Sequence, residues 1–144
     1  MIYFDTSFLA PLILQEATSV RVEDYVNRLP RGELCVSHWT RVEFASLLSR
    51  EVRSGGLVER DALAAARQLE RMLADSYLVI SLQAADYELA RQFILRFSAA
   101  LRTGDAMHLA VAKNHGAKSL LTLDQGMLKA GKLLNVPVTR GIKI

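Results

Sequence analysis

The chain has 144 residues, 51% of them hydrophobic, and carries a formal net charge of +3. That is enough to bury an apolar core without staples, so a single domain spanning residues 1–144 is expected. The one cysteine, Cys35, lies in the apolar run Leu34-Cys-Val-Ser and reads as a small buried side chain, which excludes a disulfide framework and suits a reducing, cytoplasmic compartment. No signal-peptide pattern opens the sequence and no apolar stretch is long enough to cross a bilayer, so a soluble intracellular protein is expected.

In chain order, Met1 to Phe4 is an apolar run ending at Asp5, predicted as a short buried strand with a carboxylate at its C-terminal tip. Thr6 or Ser7 can cap a short helix to about Leu14, and Thr18 or Ser19 a second to Leu29, stopped by Pro30 and Gly32. Leu34 to Ser37 is the second strand. A helix from Trp39 to about Val52 carries Glu43 and stops at Ser54-Gly-Gly. Val58 to Asp75 is a further helix, with Leu63, Ala66, Leu69 and Leu73 on one face. The third strand is Tyr77 to Leu82, and a helix follows from about Ala84 to Phe97. Thr103-Gly-Asp opens the next helix, which runs through Ala112 to His115 and closes at Gly116. Ser119 to Leu123 is the fourth strand and ends at Asp124, much as the first ends at Asp5. A short helix from Gln125 to Ala130 and an edge element opening at Val136-Pro-Val complete the chain.

Strands separated by helices imply a parallel sheet covered on both faces. Ligands of such sheets bind beyond the carboxyl ends of the strands, where the strand order reverses. Asp5 and Asp124 occupy strand ends. Glu43 and Asp105 lie in helices, four residues from Leu47 and Leu109, so their carboxylates share stripes with apolar side chains. Inward-facing acids need a positive partner. No Lys or Arg recurs beside the set in a way that would neutralise it, so a bound divalent cation is the expected one. Setting the four acids aside leaves about +7 on the rest of the molecule, and thirteen of its eighteen cations are arginines, the residue suited to phosphate; a polyanionic partner is therefore expected.

The segments Tyr3-Phe-Asp-Thr-Ser-Phe-Leu, Trp39-Thr-Arg-Val-Glu-Phe-Ala, Arg102-Thr-Gly-Asp-Ala-Met-His-Leu-Ala and Leu121-Thr-Leu-Asp resemble, in this order and spacing, the PIN-domain ribonucleases, especially the VapC-like toxins of bacterial and archaeal toxin–antitoxin pairs. The likeness spans almost the whole chain. It implies an α/β three-layer fold with a parallel sheet ordered 3-2-1-4-5, a Mg²⁺ or Mn²⁺ site, endonucleolytic cleavage of RNA, a homodimer, and a cognate antitoxin that blocks the site. Asp5, Glu43, Asp105 and Asp124 match the family's acidic positions, and Thr6 and Thr122 its frequent hydroxyls. Gln125-Gly-Met departs from the bulkier, aromatic-containing turn common at that place.

The chemistry asks for the same residues. Phosphodiester hydrolysis needs a hydroxide at neutral pH and compensation for charge on the oxyanion, and a metal held by carboxylates supplies both. Mg²⁺ takes only one or two direct carboxylates. Asp5 with Asp124, or Asp5 with Asp105, are the expected direct ligands, and Glu43 orients a metal-bound water or completes the shell. Thr6 and Thr122 fix the carboxylates or meet phosphate, and Arg102 touches the scissile phosphate or the antitoxin. Structural roles compete with these: Asp5 and Asp124 also suit helix caps, and Asp105 a first-turn partner of the helix dipole. His108 has no second histidine at metal-ligand spacing and is expected to pack or lie at the surface; His38 and His115 are surface or loop residues, and Trp39 belongs to the core. Ser7 lacks a histidine partner for nucleophilic work. Two other classes fit the residues less well. A phosphorylated receiver domain needs an acidic pair after its first strand and an acceptor Asp after its third, where Asp-Thr-Ser and Ser81-Leu-Gln stand here. A nucleic-acid binding module or a PIN-type nuclease acting on DNA or in RNA processing is the nearer alternative, although four repelling carboxylates oppose binding phosphate without a metal.

Overall fold

The apolar run at the N-terminus is apolar throughout because both of its faces are covered. In the computed structural model, which describes residues 1–144, it forms β1 (Ile2–Phe4), buried along its length. Its side chains divide by the period of two: Tyr3 enters one apolar layer with Cys35 and Leu120, while Ile2 and Phe4 enter the other with Leu34, Val36 and Leu121. β1 pairs in parallel with β2 (Leu34–Ser37), with Ile2 opposite Leu34, and with β4 (Ser119–Leu121), with Phe4 opposite Leu121. β3 (Leu78–Ile80) lies outside β2, and β5 (Val138–Thr139) outside β4, giving the order 3-2-1-4-5. The chain steps outward from β1 to β3 and then returns across β1 to β4. The reversal falls between β1 and β4, and their carboxyl ends carry Asp5 and Asp124.

One face of the sheet is covered by α1 (Thr6–Leu9), a 3₁₀ turn at Ala10–Leu12, α2 (Ser19–Val26), α3 (His38–Ser54) and α4 (Glu59–Ser76). The other carries α5 (Ala84–Leu95), a 3₁₀ turn at Phe97–Ala99, α6 (Thr103–Asn114) and α7 (Gln125–Leu134). α6 is buried from Ala106 to Ala112 because it is apolar nearly all round, so it anchors whatever stands at its N-terminus.

Several boundaries differ from the sequence expectation, each for a local reason. Asp5, not Thr6 or Ser7, caps α1: its Oδ1 accepts from the Phe8 N–H at 2.9 Å. Pro11 then turns the segment expected to be helical to Leu14 into a 3₁₀ turn that ends at Leu12. α2 stops at Val26, short of Leu29. α4 buries Ala62, Ala65, Leu69 and Leu73, and Leu63 is 53% exposed, so the inward face is rotated by one residue from the expected stripe. β3 is three residues long, and α5 ends at Leu95. α7 continues past Ala130 to Leu134 because Gly131 lets it lie against β5, where a Cβ would collide with Val138.

Candidate active site

At the end of β1, Asp5 is 2% exposed and hydrogen-bonded at both carboxylate oxygens. Beyond the α1 cap, Ser7 Oγ donates to Oδ1 at 2.8 Å and Thr122 Oγ1 donates to Oδ2 at 2.5 Å. Those two hydroxyls reach further: Ser7 Oγ accepts from the Leu123 N–H at 2.9 Å, and Thr122 Oγ1 from the Asp124 N–H at 3.0 Å. Hydroxyls therefore lace the ends of β1 and β4 together and fix the direction of the Asp5 carboxylate. Burial pushes the Asp5 carboxyl above the usual carboxylate range, against the charge of nearby His108 and the bonds from Thr122, Phe8 and Ser7.

Asp124 caps α7 through Oδ1, which accepts from the Met127 N–H at 2.8 Å. Its Oδ2 is thereby left for the cleft. Asp105, in the first turn of α6, faces the same opening, and a single guanidinium spans the two acids: Arg102 Nε lies 3.3 Å from Asp105 Oδ2, and Nη2 lies 3.6 Å from Asp124 Oδ2. Burial raises the Asp105 pKa; Arg102 opposes this, and the charge of Asp124 adds to it. The expectation that no side-chain cation neutralises the set is thus corrected. Arg102 attends one pair and His108 attends Glu43.

Glu43 projects from α3 into this cleft and is held by its Oε2, which accepts from Thr6 Oγ1 at 2.6 Å and from His108 Nε2 at 2.7 Å. His108 is 2% exposed. Its Nδ1 lies 2.9 Å from the Tyr3 hydroxyl, which in turn lies 2.8 Å from Ser37 Oγ. In the neutral ring with its proton on Nε2, Ser37 donates to Tyr3, Tyr3 to His108, and His108 to Glu43; a charged ring donates from both nitrogens and adds its charge to the hold on Glu43. Burial alone would raise the Glu43 pKa, but the His108 hydrogen bond and charge, with Thr6 and the Trp39 indole behind them, bring it down to about 2. The Trp39 N–H is buried and adds its pull from outside hydrogen-bond geometry, while its ring packs beside the α5–α6 core, as expected. His38 is exposed, and His115 is partly exposed beside Asp86.

Gly104 completes the arrangement. A Cβ there would collide with Glu43 Oε1, so the first turn of α6 must be bare for the carboxylate to sit against it. Alanine in a helix is ordinarily favoured over glycine by about 1 kcal/mol. Gly104→Ala is expected to do the reverse, lowering the melting temperature, since Glu43 must leave Thr6 and His108. A variant that melts above the parent would show that Glu43 is free to move.

Asp5, Thr6, Ser7, Glu43, Arg102, Asp105 and Asp124 all line one cleft of about 530 Å³, with Arg50 and Glu16 beside them. A larger concavity of about 740 Å³, walled by Val26, Leu29, Met72 and Tyr77, brings together no comparable set. The cleft offers hard oxygen donors, which suit Mg²⁺ or Mn²⁺ over softer metals. No three carboxylate, imidazole or thiol groups are already drawn into a closed cage. The guanidinium over Asp105 and Asp124 shows that the pair attracts positive charge. Sequence reasoning missed Ser7 as a strap and the Tyr3–His108 support; a hydroxyl inside an otherwise apolar strand was the available signal for the latter.

The PIN domain family profile matches residues 2–133. Among solved structures, the Mycobacterium tuberculosis toxin VapC20, described as cleaving the sarcin-ricin loop, superposes with a TM-score of 0.74 at 25% identity, over 91% of this chain and 95% of that one. FitAcB from Neisseria gonorrhoeae gives 0.76 at 17% identity over 98% of both chains. A toxin–antitoxin complex from Klebsiella pneumoniae gives 0.67 at 19% identity over 100% of both. No curated protein matches the chain in sequence. Family profile, strand order and the placing of the acids at the β1–β4 reversal agree: the chain belongs to the PIN-domain family.

Proposed function

We propose that residues 1–144 form a single Mg²⁺- or Mn²⁺-dependent endoribonuclease domain that hydrolyses RNA phosphodiester bonds as the toxin of a toxin–antitoxin pair. The observation that carries this reading is the gathering of Asp5, Glu43, Asp105 and Asp124 around one cleft at the strand-order reversal. Asp5, Asp105 and Asp124 would hold the cation, which when bound supplies a hydroxide at neutral pH and offsets charge on the phosphate. Glu43, kept ionised and aimed by Thr6 and His108, would orient the attacking water or help to hold the cation. Thr122 and Ser7 keep Asp5 in register. The arginine-rich exterior supports an RNA substrate. A cognate antitoxin protein and a second copy of the chain are the proposed partners, in keeping with the toxin–antitoxin complexes among the structural neighbours. No helix is long and apolar enough to cross a membrane.

Labelled RNA and labelled DNA strands, each incubated with the protein in Mg²⁺ and in EDTA, test the reading. Cleavage of RNA in Mg²⁺ that EDTA abolishes is expected. Cleavage of DNA alone, or of neither strand, would overturn it.

A further inference from the structure

Arg102 stands at the N-cap of α6 on extended backbone (φ −86°, ψ 163°), and its side chain is 79% exposed. A side chain so free to point into water lies instead on the two acids, 3.3 Å from Asp105 and 3.6 Å from Asp124. The two carboxylates face one another across this opening, and the guanidinium lies against both. The position it takes is where the proposed nuclease would hold its divalent ion.

We infer that Arg102 has two alternating partners: the Asp105–Asp124 pair while the metal is absent, and an RNA phosphate once the metal has taken the pair. The inference rests on the nuclease reading and adds an order of events to it, with metal entering before RNA is gripped. A monovalent, solvent-screened guanidinium holds carboxylates weakly, so a divalent ion at the same oxygens displaces it. Once released, its planar fork has the geometry to bind phosphate oxygens in pairs. Arg50, from α3, lines the same cleft and makes no ion pair, so it is available to RNA at all times. Arg102 becomes available only when the catalytic cation is in place, which ties a firm grip on the substrate to readiness for cleavage.

Arg102→Gln separates the two partnerships. The position is exposed, so the fold survives the change. Titration calorimetry with Mn²⁺ should show the variant binding metal more tightly than the parent, by roughly three- to tenfold, because a competing charge is gone. Binding of a short labelled phosphorothioate RNA, which resists cleavage during the measurement, should be strengthened by Mn²⁺ in the parent and much less in Arg102→Gln. Arg102→Lys, which keeps the charge but not the fork, should fall between them in both assays. Equal Mn²⁺ affinity in parent and Arg102→Gln overturns the exchange while leaving the nuclease reading intact. Tighter metal binding with undiminished RNA affinity in Mn²⁺ overturns the second partnership and with it the order of events. A parent that takes up no Mn²⁺ removes the nuclease reading itself, and the inference falls with it.

Discussion

Asp5→Asn is expected to reduce metal-dependent RNA cleavage by about a hundredfold or more, the order seen when one positioned group is removed from a metal or charge-stabilising site. The same substitution should leave the fold as stable as before. Asn offers an oxygen to the Phe8 N–H and to Ser7, so the α1 cap survives, and only the Thr122 hydroxyl must turn to meet the new amide. The sign of the charge effect follows from burial, which raises the Asp5 pKa in the folded protein. A carboxyl with a raised folded pKa favours folding most below its unfolded pKa and loses that contribution as pH rises through the folded value. At neutral pH its ionisation therefore opposes folding, and a neutral Asn removes the opposition. Cleavage assays beside thermal melts in EDTA check both halves. Equal cleavage by parent and variant would remove Asp5 from the chemistry.

His108→Phe should bring the largest loss of stability. The ring is buried and holds two partners that sit at opposite ends of the sequence, Tyr3 and Glu43. Phe fills the space, but it leaves a partly buried carboxylate with only Thr6 and a tyrosine hydroxyl with only Ser37. Breaking a buried charged contact from one side costs about 3–5 kcal/mol. Glu43 keeps 28% of its side chain in solvent, which moderates the loss. A cost of about 3 kcal/mol, read as a fall in melting temperature of roughly 10 °C for a domain of this size, is expected. Acid should narrow the gap. Glu43 has its folded pKa depressed to about 2, so its stabilisation is whole above the unfolded carboxylate range and is lost as pH falls through the folded value. Parent and variant should therefore converge between about pH 4.5 and pH 2. A gap that stays constant over that range would mean that His108 supports packing and not the charge of Glu43.

The acids were legible because each interrupts a hydrophobic pattern. Asp5 and Asp124 end apolar runs, and Glu43 and Asp105 fall on stripes shared with Leu47 and Leu109, of which Leu109 is fully buried. The parallel sheet was legible from strand–helix alternation, although its order came from resemblance and not from periodicity. What local pattern does not encode is who meets whom across the chain. Tyr3 and His108 are 105 positions apart, and Ser7 and Thr122 are 115 apart, so no window of sequence contains either pair. Arg102 was visible three residues before Asp105, but its reach to Asp124 exists only because β1 and β4 are neighbours. Capping a helix does not take an acid out of the cleft. Asp124 gives one oxygen to the Met127 N–H and the other to the cleft, and Asp5 caps α1 from the cleft's inner wall. Leu63 and Pro11 show a smaller limit: stripe counting fixes a helix's inward face only to within one residue, and a proline in a short segment decides between α and 3₁₀ turns.

On the proposed function, these carboxylates are kept for a cation and not for the fold. Thermal melts of the parent and of Asp5→Asn, each in EDTA and in Mn²⁺, test it most directly, because an ion bound only by the folded state raises the melting temperature by mass action. The parent should melt higher in Mn²⁺ than in EDTA, and Asp5→Asn should lose most of that rise while melting no lower than the parent in EDTA. A parent indifferent to Mn²⁺, together with a metal-free variant that melts well below it, would contradict the claim and leave Asp5 a helix cap alone.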